Sequence, residues 1–416
     1  MFLVWIIILL LRHWLTTWLH FGLNIGGSVA IFGLLRDGGW MMMTCIFFVR
    51  GCYKARDPLL SWKDNGVRLV RFVGGNGWLC VGLLVCVTAY AIVRTGFATP
   101  WLFLVGFKSL IFPFVLLISG VVLGLVYPIS SRMIKRGLGL FALGCLVFGS
   151  VKIFFPSMME RLGYGPVGDW VANQAPPVYY RTGPGGIPRF AGAFAGPNAL
   201  MYVLVFFLPL LGSFVAHTWQ KIVVWTVGGL MGVATIARGF LVGVSTWFLL
   251  LLCSYTSRIV RLVIVGCVVL AIVCVGWLSF SDLKYGSTIE RLEKWHEAAN
   301  LIVQRPRIGY GLGMSGPGYF WGGLVVPENL YLQVILDLGL IGFLGRVVTR
   351  WVLVFAIKRF VVYDVWLSRC GGLAALAAVG LVLHPVEDAT VNMLIFGMGT
   401  WMIVGRSRNQ DIAALR

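Results

Sequence analysis

The chain has 416 residues, of which 59% are hydrophobic and only 12% are charged, and its mean hydropathy is +0.89. Soluble domains contain roughly 45–50% apolar and about 25% charged residues, so this composition excludes an ordinary soluble domain. A net charge of +19 would suit nucleic-acid binding, but in a membrane protein an excess of Lys and Arg first marks cytoplasmic loops. We therefore predict no nucleic-acid partner.

Apolar stretches of membrane-spanning length recur from one end of the sequence to the other. We expect two crossings in the first 50 residues, with a retained first helix because Arg12 follows the apolar run and does not precede it. The further predicted spans are 72–94, 99–127, 137–155, 194–216, 222–237, 240–256, 262–280, 340–357, 371–385 and 389–404. The sequence predicts one all-α, polytopic membrane domain over residues 1–416, with about 12 transmembrane helices and cytoplasmic termini.

Two long polar loops, 156–193 and 281–328, are predicted to lie on the outer, periplasmic face. Loops longer than about 12–15 residues are usually functional. The second loop, the larger one between later helices, contains a helix pattern with Ser287 and Glu290 as a capping box. Because its apolar residues form one stripe that ends before Pro306, we expect an interfacial helix along the membrane surface.

The glycine-rich run GYGLGMSGPG (309–318) follows this helix. It lacks the Lys-Ser/Thr pair of a nucleotide-binding loop and does not follow a strand. We expect a flexible loop that lets the backbone approach a lipid-linked substrate.

The acidic residues argue against two classes of function. All 15 fall in predicted loops or at predicted helix ends, whereas ion-coupled transporters usually need buried carboxylates. No cluster of His, Asp or Glu has metal-ligand spacing, so we predict no metal site. None of the nine cysteines lies in either long loop, so we expect no structural disulfide.

Three arginines are predicted on the outer face: Arg189 before FAGAFAGPNAL, Arg238 in TIARGFLVG, and Arg291 on the interfacial helix. A lone interfacial arginine is usually a membrane anchor. Three of them on the face where basic residues are disfavoured indicate an anion site, because a guanidinium stays charged and forks onto phosphate oxygens. We predict that they hold a diphosphate at the outer leaflet.

Four segments in order resemble the signatures of the O-antigen ligase and O-antigen polymerase superfamily: RFAGAFAGPNAL, ARGFLVG, ERLEKWHEAANLIVQRPRIGYGLG and ENLYLQVILDLGLIG. The resemblance covers roughly residues 181–345. It implies a GT-C-type glycosyltransferase of the bacterial inner membrane, without metal or cofactor. Such an enzyme moves a glycan from an undecaprenyl-diphosphate carrier to an acceptor hydroxyl, which belongs to a second carrier-linked repeat unit in polymerases and to lipid A-core in ligases.

The resemblance also implies roles for individual residues. Arg189, Arg238 and Arg291 match the positions that bind the diphosphate, and the supporting residues are Asn198, Asn329, Trp295 and His296. Ligases that resemble this sequence place a histidine, the general base for the acceptor hydroxyl, where Glu328 stands. This difference favours a polymerase over a ligase.

Glu328 has two interpretations on the sequence alone. A carboxylate can take the acceptor proton where an apolar mouth makes its charged form less favourable. Alternatively, Glu328 only caps the helix that starts near Asn329. His296 and His384 are further candidates for the base, and Glu387 and Asp388 are weaker ones.

A lipid-linked oligosaccharide flippase is the alternative from another class. It would need a cationic cavity open to both faces of the membrane. Lys108 and Lys152, inside predicted spans, are the residues that hint at such a cavity.

Overall fold

The computed structural model describes residues 78–93, 100–117, 131–166, 177–182, 186–194, 196–214, 218–254, 257–280, 285–316, 319, 322–358 and 374–380. These residues are mostly helical and fall into two compact units. The first unit contains described residues 131–285 and 374–376, and the second contains 78–117, 286–358 and 377–380. The crossings predicted in the first 50 residues and at 389–404, and with them His384, Glu387 and Asp388, lie outside the described residues.

The elements follow one another along the chain as helices interrupted by one hairpin. The helices are α1 (Trp78–Ala91), α2 (Pro100–Leu117, with a π-helical turn at Phe107–Ile111), α3 (Ser131–Phe154), α4 (Pro156–Arg161), α5 (Pro197–Phe214), α6 (Thr218–Ala234), α7 (Arg238–Ser254), α8 (Arg258–Phe280), α9 (Tyr285–Gln304) and α10 (Leu330–Lys358). The strands are β1 (Tyr180–Thr182) and β2 (Ile187–Arg189), which pair antiparallel with Tyr180 opposite Arg189.

Several described helices agree with the predicted spans. Pro100–Leu117 and Leu330–Thr349 are long and apolar enough to cross a membrane, and shorter apolar stretches lie in α3, α5, α7 and α8. The last three of these coincide within a few residues with the predictions 194–216, 240–256 and 262–280. The described residues are mostly helical with two short strands, which agrees with the predicted fold class in the main, and the count of about 12 spans stays a prediction.

The core of the first unit is built around α5. Residues 199–208 of α5 are all buried, and α6 and α7 both pack against this helix. Gly228 of α6 and Gly243 of α7 face Leu208 and Val205, where an added Cβ would collide with the leucine and valine side chains. Small residues at such contacts let helices in a membrane approach closely.

The short β-hairpin was not predicted, and it positions Arg189. Its second strand docks onto the turn between α6 and α7, where the amide of Phe190 donates to the carbonyl of Ala234 at 2.9 Å. Strands of three residues are too short to show the alternation that identifies a strand in a sequence.

The start of α10 corrects the predicted span of 340–357. The helix begins at Leu330, because the side chain of Asn329 accepts hydrogen bonds from the amides of Tyr331 and Leu332 at 2.9 and 3.1 Å. It breaks once, at Gly339, where φ is 67° and ψ is −176°. This backbone conformation is almost exclusive to glycine.

The glycine-rich run replaces the hydrogen bonds that this break removes. The amides of Tyr310 and Gly311 donate to the carbonyls of Leu336 and Asp337, at 2.8 and 2.9 Å. Conversely, the amides of residues 340 and 341 donate to the carbonyls of residues 306 and 307, at 2.9 and 3.2 Å. The amides and carbonyls that lose a helical partner at this break therefore bond to other groups of the protein, as the membrane interior requires.

The prediction that this run is a flexible loop open to substrate is wrong for its described part. Gly309, Gly313 and Gly316 are buried, and a Cβ at each would collide with a neighbouring backbone or side chain. These glycines serve close packing against α2 and α10.

Candidate active site

Glu328 and two cations of α9 form an ion-paired cluster in the second unit. Oε2 of Glu328 lies 2.8 Å from Nε of Arg291, and Oε1 lies 3.4 Å from Nζ of Lys294. Arg291 and Lys294 are three residues apart, a spacing that puts both on one face of the helix. The three side chains remain partly open to solvent, since they are 33%, 20% and 29% exposed. We call Glu328, Arg291 and Lys294 the carboxylate–cation cluster.

The backbone of Glu328 is in an uncommon conformation. Its φ is +49°, and Ile236 is the other non-glycine residue with positive φ in the described part of the chain. Such conformations cost of order 1–3 kcal/mol and persist where the surroundings impose them, often at functional sites. Both residues lie within two positions of predicted site residues, Asn329 and Arg238.

The structure excludes one of the two interpretations of Glu328. Asn329 caps α10, so the interpretation of Glu328 as the cap is wrong. The expected apolar mouth is also not what surrounds this carboxylate, because Arg291 and Lys294 contact it directly.

Lys294 also contacts a second carboxylate. Its Nζ lies 2.7 Å from Oε1 of Glu290, one turn earlier on α9. The hydrogen bond from Lys294, followed by its charge, lowers the pKa of the Glu290 carboxyl. Partial burial lowers the pKa of Lys294, but the hydrogen bond with Glu290 and the charge of Glu328 outweigh that effect and raise it. Lys294 is therefore a firmly charged group.

The other predicted residues on α9 and α10 have different environments. Trp295 is half-buried, and its Nε1 has no hydrogen-bond partner among the described residues, although an indole N–H is usually paired when buried. His296 is exposed. Asn329 is buried and serves the helix cap, while the first turn of α10 is anchored by a bond from the amide of Leu330 to the carbonyl of Gly380, 2.9 Å.

In the first unit, Arg189 is held by two hydrogen bonds. Its Nε donates to the carbonyl of Thr235 at 2.9 Å, and its Nη2 donates to Oδ1 of Asn198 at 3.3 Å. Asn198 lies in the first turn of α5, so the predicted supporting residue orients the predicted arginine. Thr235 is completely buried in the turn that leads to Arg238.

Arg238 is the first residue of α7 and is half-buried. The N-terminus of a helix carries partial positive charge, so a cation there is disfavoured and an anion is favoured. An arginine at this position adds to the positive potential of the helix end. The structure thus places Arg189 against the turn that precedes Arg238 within one unit.

Lys152, one of the two lysines behind the flippase alternative, is buried and engaged. It is 3% exposed, and its Nζ donates to the carbonyl of Phe194 at 2.7 Å, while the Tyr164 ring lies 5.2 Å away. Lys152 therefore fixes the loop that follows Arg189. Lys108 lies in the π-helical turn of α2.

Asp337 is a buried carboxylate that the sequence does not single out, because it lies between the predicted outer loop 281–328 and the predicted span 340–357. It lies inside α10 and is completely buried. Its Oδ1 accepts from the hydroxyl of Ser315 at 2.7 Å, and its Oδ2 accepts from the amide of Gly313 at 2.8 Å. The one signal for it in the sequence is a lone Asp in an apolar run, two residues before a glycine.

Lys294 was missed as a site residue for a different reason. Its spacing of four residues from Glu290 is that of an ordinary ion pair along a helix, which gives it no role in a site. The spacing of three residues from Arg291 was the signal that could have placed it beside Glu328.

Residues 222–347 match a family model described as O-Antigen ligase. The matched segment runs from α6 into α10 and includes Arg238 and the whole carboxylate–cation cluster, whereas Arg189 and Asn198 precede it. A search of curated proteins found no match to the chain.

Proposed function

The chain belongs to the O-antigen ligase and polymerase superfamily, and from this premise we propose that it transfers a glycan from an undecaprenyl-diphosphate carrier to an acceptor hydroxyl. The family match supports a bacterial membrane protein of ligase or polymerase type in surface polysaccharide assembly. The carrier, the metal-independent chemistry and the roles of single residues are what the proposal adds.

The contact between Arg291 and Glu328 is the observation that carries the proposal. It brings a group that can bind phosphate within 2.8 Å of a group that can accept a proton. A glycosyl transfer from a diphosphate carrier needs both functions next to each other, because the leaving group and the attacking hydroxyl meet at the same sugar carbon.

In the proposed reaction, the acceptor oxygen attacks the anomeric carbon of the donor glycan, and the bond from that carbon to the diphosphate oxygen breaks. Glu328 takes the proton of the acceptor hydroxyl and later releases it to solvent. Arg291 stabilises the charge that develops on the leaving diphosphate. A positioned base contributes roughly 10²–10⁴-fold to such a reaction.

Arg189 and Arg238 are proposed as further residues that bind the diphosphate. The fork of Arg189 is oriented by Thr235 and Asn198. The charge of Arg238 reinforces the positive end of α7. Each arginine keeps its charge at any working pH.

We propose that the protein acts as a polymerase, joining carrier-linked repeat units, with transfer of finished polymer to lipid A-core as the alternative. A carboxylate at position 328, where similar ligases have histidine, supports the polymerase. We place the site on the periplasmic face of the inner membrane, on the basis of the predicted positive-inside topology and the loops 156–193 and 281–328.

A deletion strain tests this function directly. Carrier-linked glycan should accumulate as single repeat units for a polymerase and as unattached polymer for a ligase. If neither accumulates, the proposed function is wrong.

Single variants in that strain test the residues. Arg291→Ala and Glu328→Gln should each reproduce the deletion with normal amounts of protein in the membrane. Glu293→Gln, an exposed carboxylate on the same helix, is the matched control and should restore normal glycan. Full activity of both site variants would show that the cluster is not the active site.

A further inference from the structure

We infer that Lys294 is a second phosphate-binding residue beside Arg291, and that Glu328 occupies the phosphate position until the donor arrives. Donor binding then displaces Glu328 and releases it to act as the base. This inference rests on the proposed function and names what the carboxylate–cation cluster does before and after the donor binds.

The carboxylate–cation cluster has the geometry of an anion site in which the carboxylate of Glu328 is the bound anion. The two oxygens of Glu328 are divided between the two cations, one on Nε of Arg291 and one on Nζ of Lys294. A phosphate group offers the same arrangement, with anionic oxygens on a common centre, and more of them. A diphosphate entering between Arg291 and Lys294 would therefore replace both contacts of the carboxylate.

Glu328 is suited to leave this position. Its side chain is one-third exposed and the ion pairs are open to water, where such contacts are individually weak. Its positive φ is unfavourable for a residue with a side chain, so departure from the cluster allows the backbone to relax. The cap of α10 is made by Asn329 and does not depend on Glu328.

Lys294 is suited to stay. Glu290 also contacts its ammonium group, at 2.7 Å, so the lysine keeps an anchor when Glu328 leaves. The four charged groups, Arg291 and Lys294 against Glu290 and Glu328, sum to zero at neutral pH. Removal of Glu328 leaves one net positive charge for the incoming diphosphate.

The displacement links donor binding to catalysis. While its two oxygens contact Arg291 and Lys294, the carboxylate occupies the diphosphate position and is not free to receive the proton of the acceptor hydroxyl. Once the diphosphate takes over Arg291 and Lys294, the carboxylate is free beside the bound donor. The acceptor hydroxyl is therefore activated only when a donor is bound. This predicts an ordered reaction in which the donor binds before the acceptor.

Binding measurements on the purified full-length protein test this inference. The probes are undecaprenyl diphosphate and inorganic pyrophosphate, which separate the lipid from its headgroup. Glu328→Gln should bind both probes roughly two- to fivefold more tightly than the wild type, the range that loss of an exposed ion pair is worth. Its turnover should nevertheless fall, because the base is gone.

Two further variants keep the test independent of one substitution. Glu328→Gly also vacates the position and suits the positive φ, so it should show the same gain in affinity. Lys294→Met should weaken binding of both probes and raise the KM for the donor more than it lowers kcat, and Lys294→Arg should restore binding. Glu293→Gln removes one charge from the same helix and is the control for a general effect of charge; its affinities should match those of the wild type.

The outcomes separate this inference from the proposed function. If the wild type turns over the donor but Glu328→Gln and Glu328→Gly bind the probes no more tightly, the displacement is wrong and the function stands. A gain for the lipid probe alone would also overturn it, because the diphosphate would then not occupy the carboxylate position. If the wild type binds neither probe and transfers no glycan, the proposed function itself fails.

Discussion

Gly339 is the residue on which the break in α10 depends, and its replacement by alanine has a definite expected cost. A Cβ at this position would collide with the carbonyl of Arg307 and with the amide of Ile308, in the segment that completes the broken helix. Alanine also disfavours the backbone conformation found there, with φ of 67° and ψ of −176°. Both effects act on the same four hydrogen bonds between residues 306–311 and α10.

The magnitude follows from these terms. An imposed glycine-only conformation costs of order 1–3 kcal/mol, and each weakened hydrogen bond adds about 1 kcal/mol. Weakening of all four bonds together with the imposed conformation gives an expected total of about 5–7 kcal/mol. With an unfolding entropy of about 2.1 cal/mol/K per residue over the whole chain, this lowers Tm by roughly 6–8 °C.

Thermal unfolding in detergent, followed by tryptophan fluorescence, measures this effect. Gly345→Ala is the matched control on the same helix, because among the described residues its added Cβ meets Val87 alone, at 3.3 Å, and alanine favours a helix. Gly345→Ala should leave Tm nearly unchanged. Equal Tm values for Gly339→Ala and the wild type would refute the role assigned to the break.

Three further predictions concern the sites. Asn329→Ala should destabilise the protein by about 1 kcal/mol and Asn329→Ser by much less, as measured by thermal unfolding, because serine can still cap the helix; equal losses would contradict the cap. Arg189→Lys should keep the protein folded but lower transfer strongly, because lysine lacks the planar fork whose separate nitrogens bond Thr235 and Asn198; full activity would show that the fork is dispensable. The Glu290–Lys294 pair should persist at neutral pH, break as the pH falls through the lowered pKa of Glu290, and break as it rises through the raised pKa of Lys294, which a pH titration of pyrophosphate affinity would follow.

Features that depend on local periodicity were predicted well from the sequence. The helices α5, α7 and α8 lie where the apolar stretches placed them, and α9 ends at Gln304, directly before Arg305-Pro306. Its start was placed less well, since α9 begins at Tyr285 and Ser287 lies inside its first turn. The length of an apolar run and the position of a proline are local properties, so the sequence reports them directly.

Features that depend on contacts between distant segments were not predicted. The burial of the glycine-rich run follows from its pairing with α10 around Gly339, and no periodicity in either segment signals that pairing. The sequence does not single out Asp337 for the same reason, since its partners Ser315 and Gly313 lie more than twenty residues earlier.

In the candidate site, too, local features were predicted from the sequence and contacts between distant segments were not. The motif pointed to Arg291 and Glu328 separately, and the structure brings them into contact. The sequence left Glu328 undecided between base and cap, because either role is compatible with a carboxylate before a helix. Hydrogen bonds from the helix amides to Asn329 removed the second possibility.

The central claim is that Glu328 accepts the proton of the acceptor hydroxyl while arginine charge holds the leaving diphosphate. The most direct measurement is the rate at which purified protein releases undecaprenyl diphosphate from a carrier-linked repeat unit, in the wild type and in Glu328→Gln. We expect this rate to fall by roughly 10²–10⁴-fold although the carrier still binds. A Glu328→Gln rate within a few-fold of the wild type would contradict it.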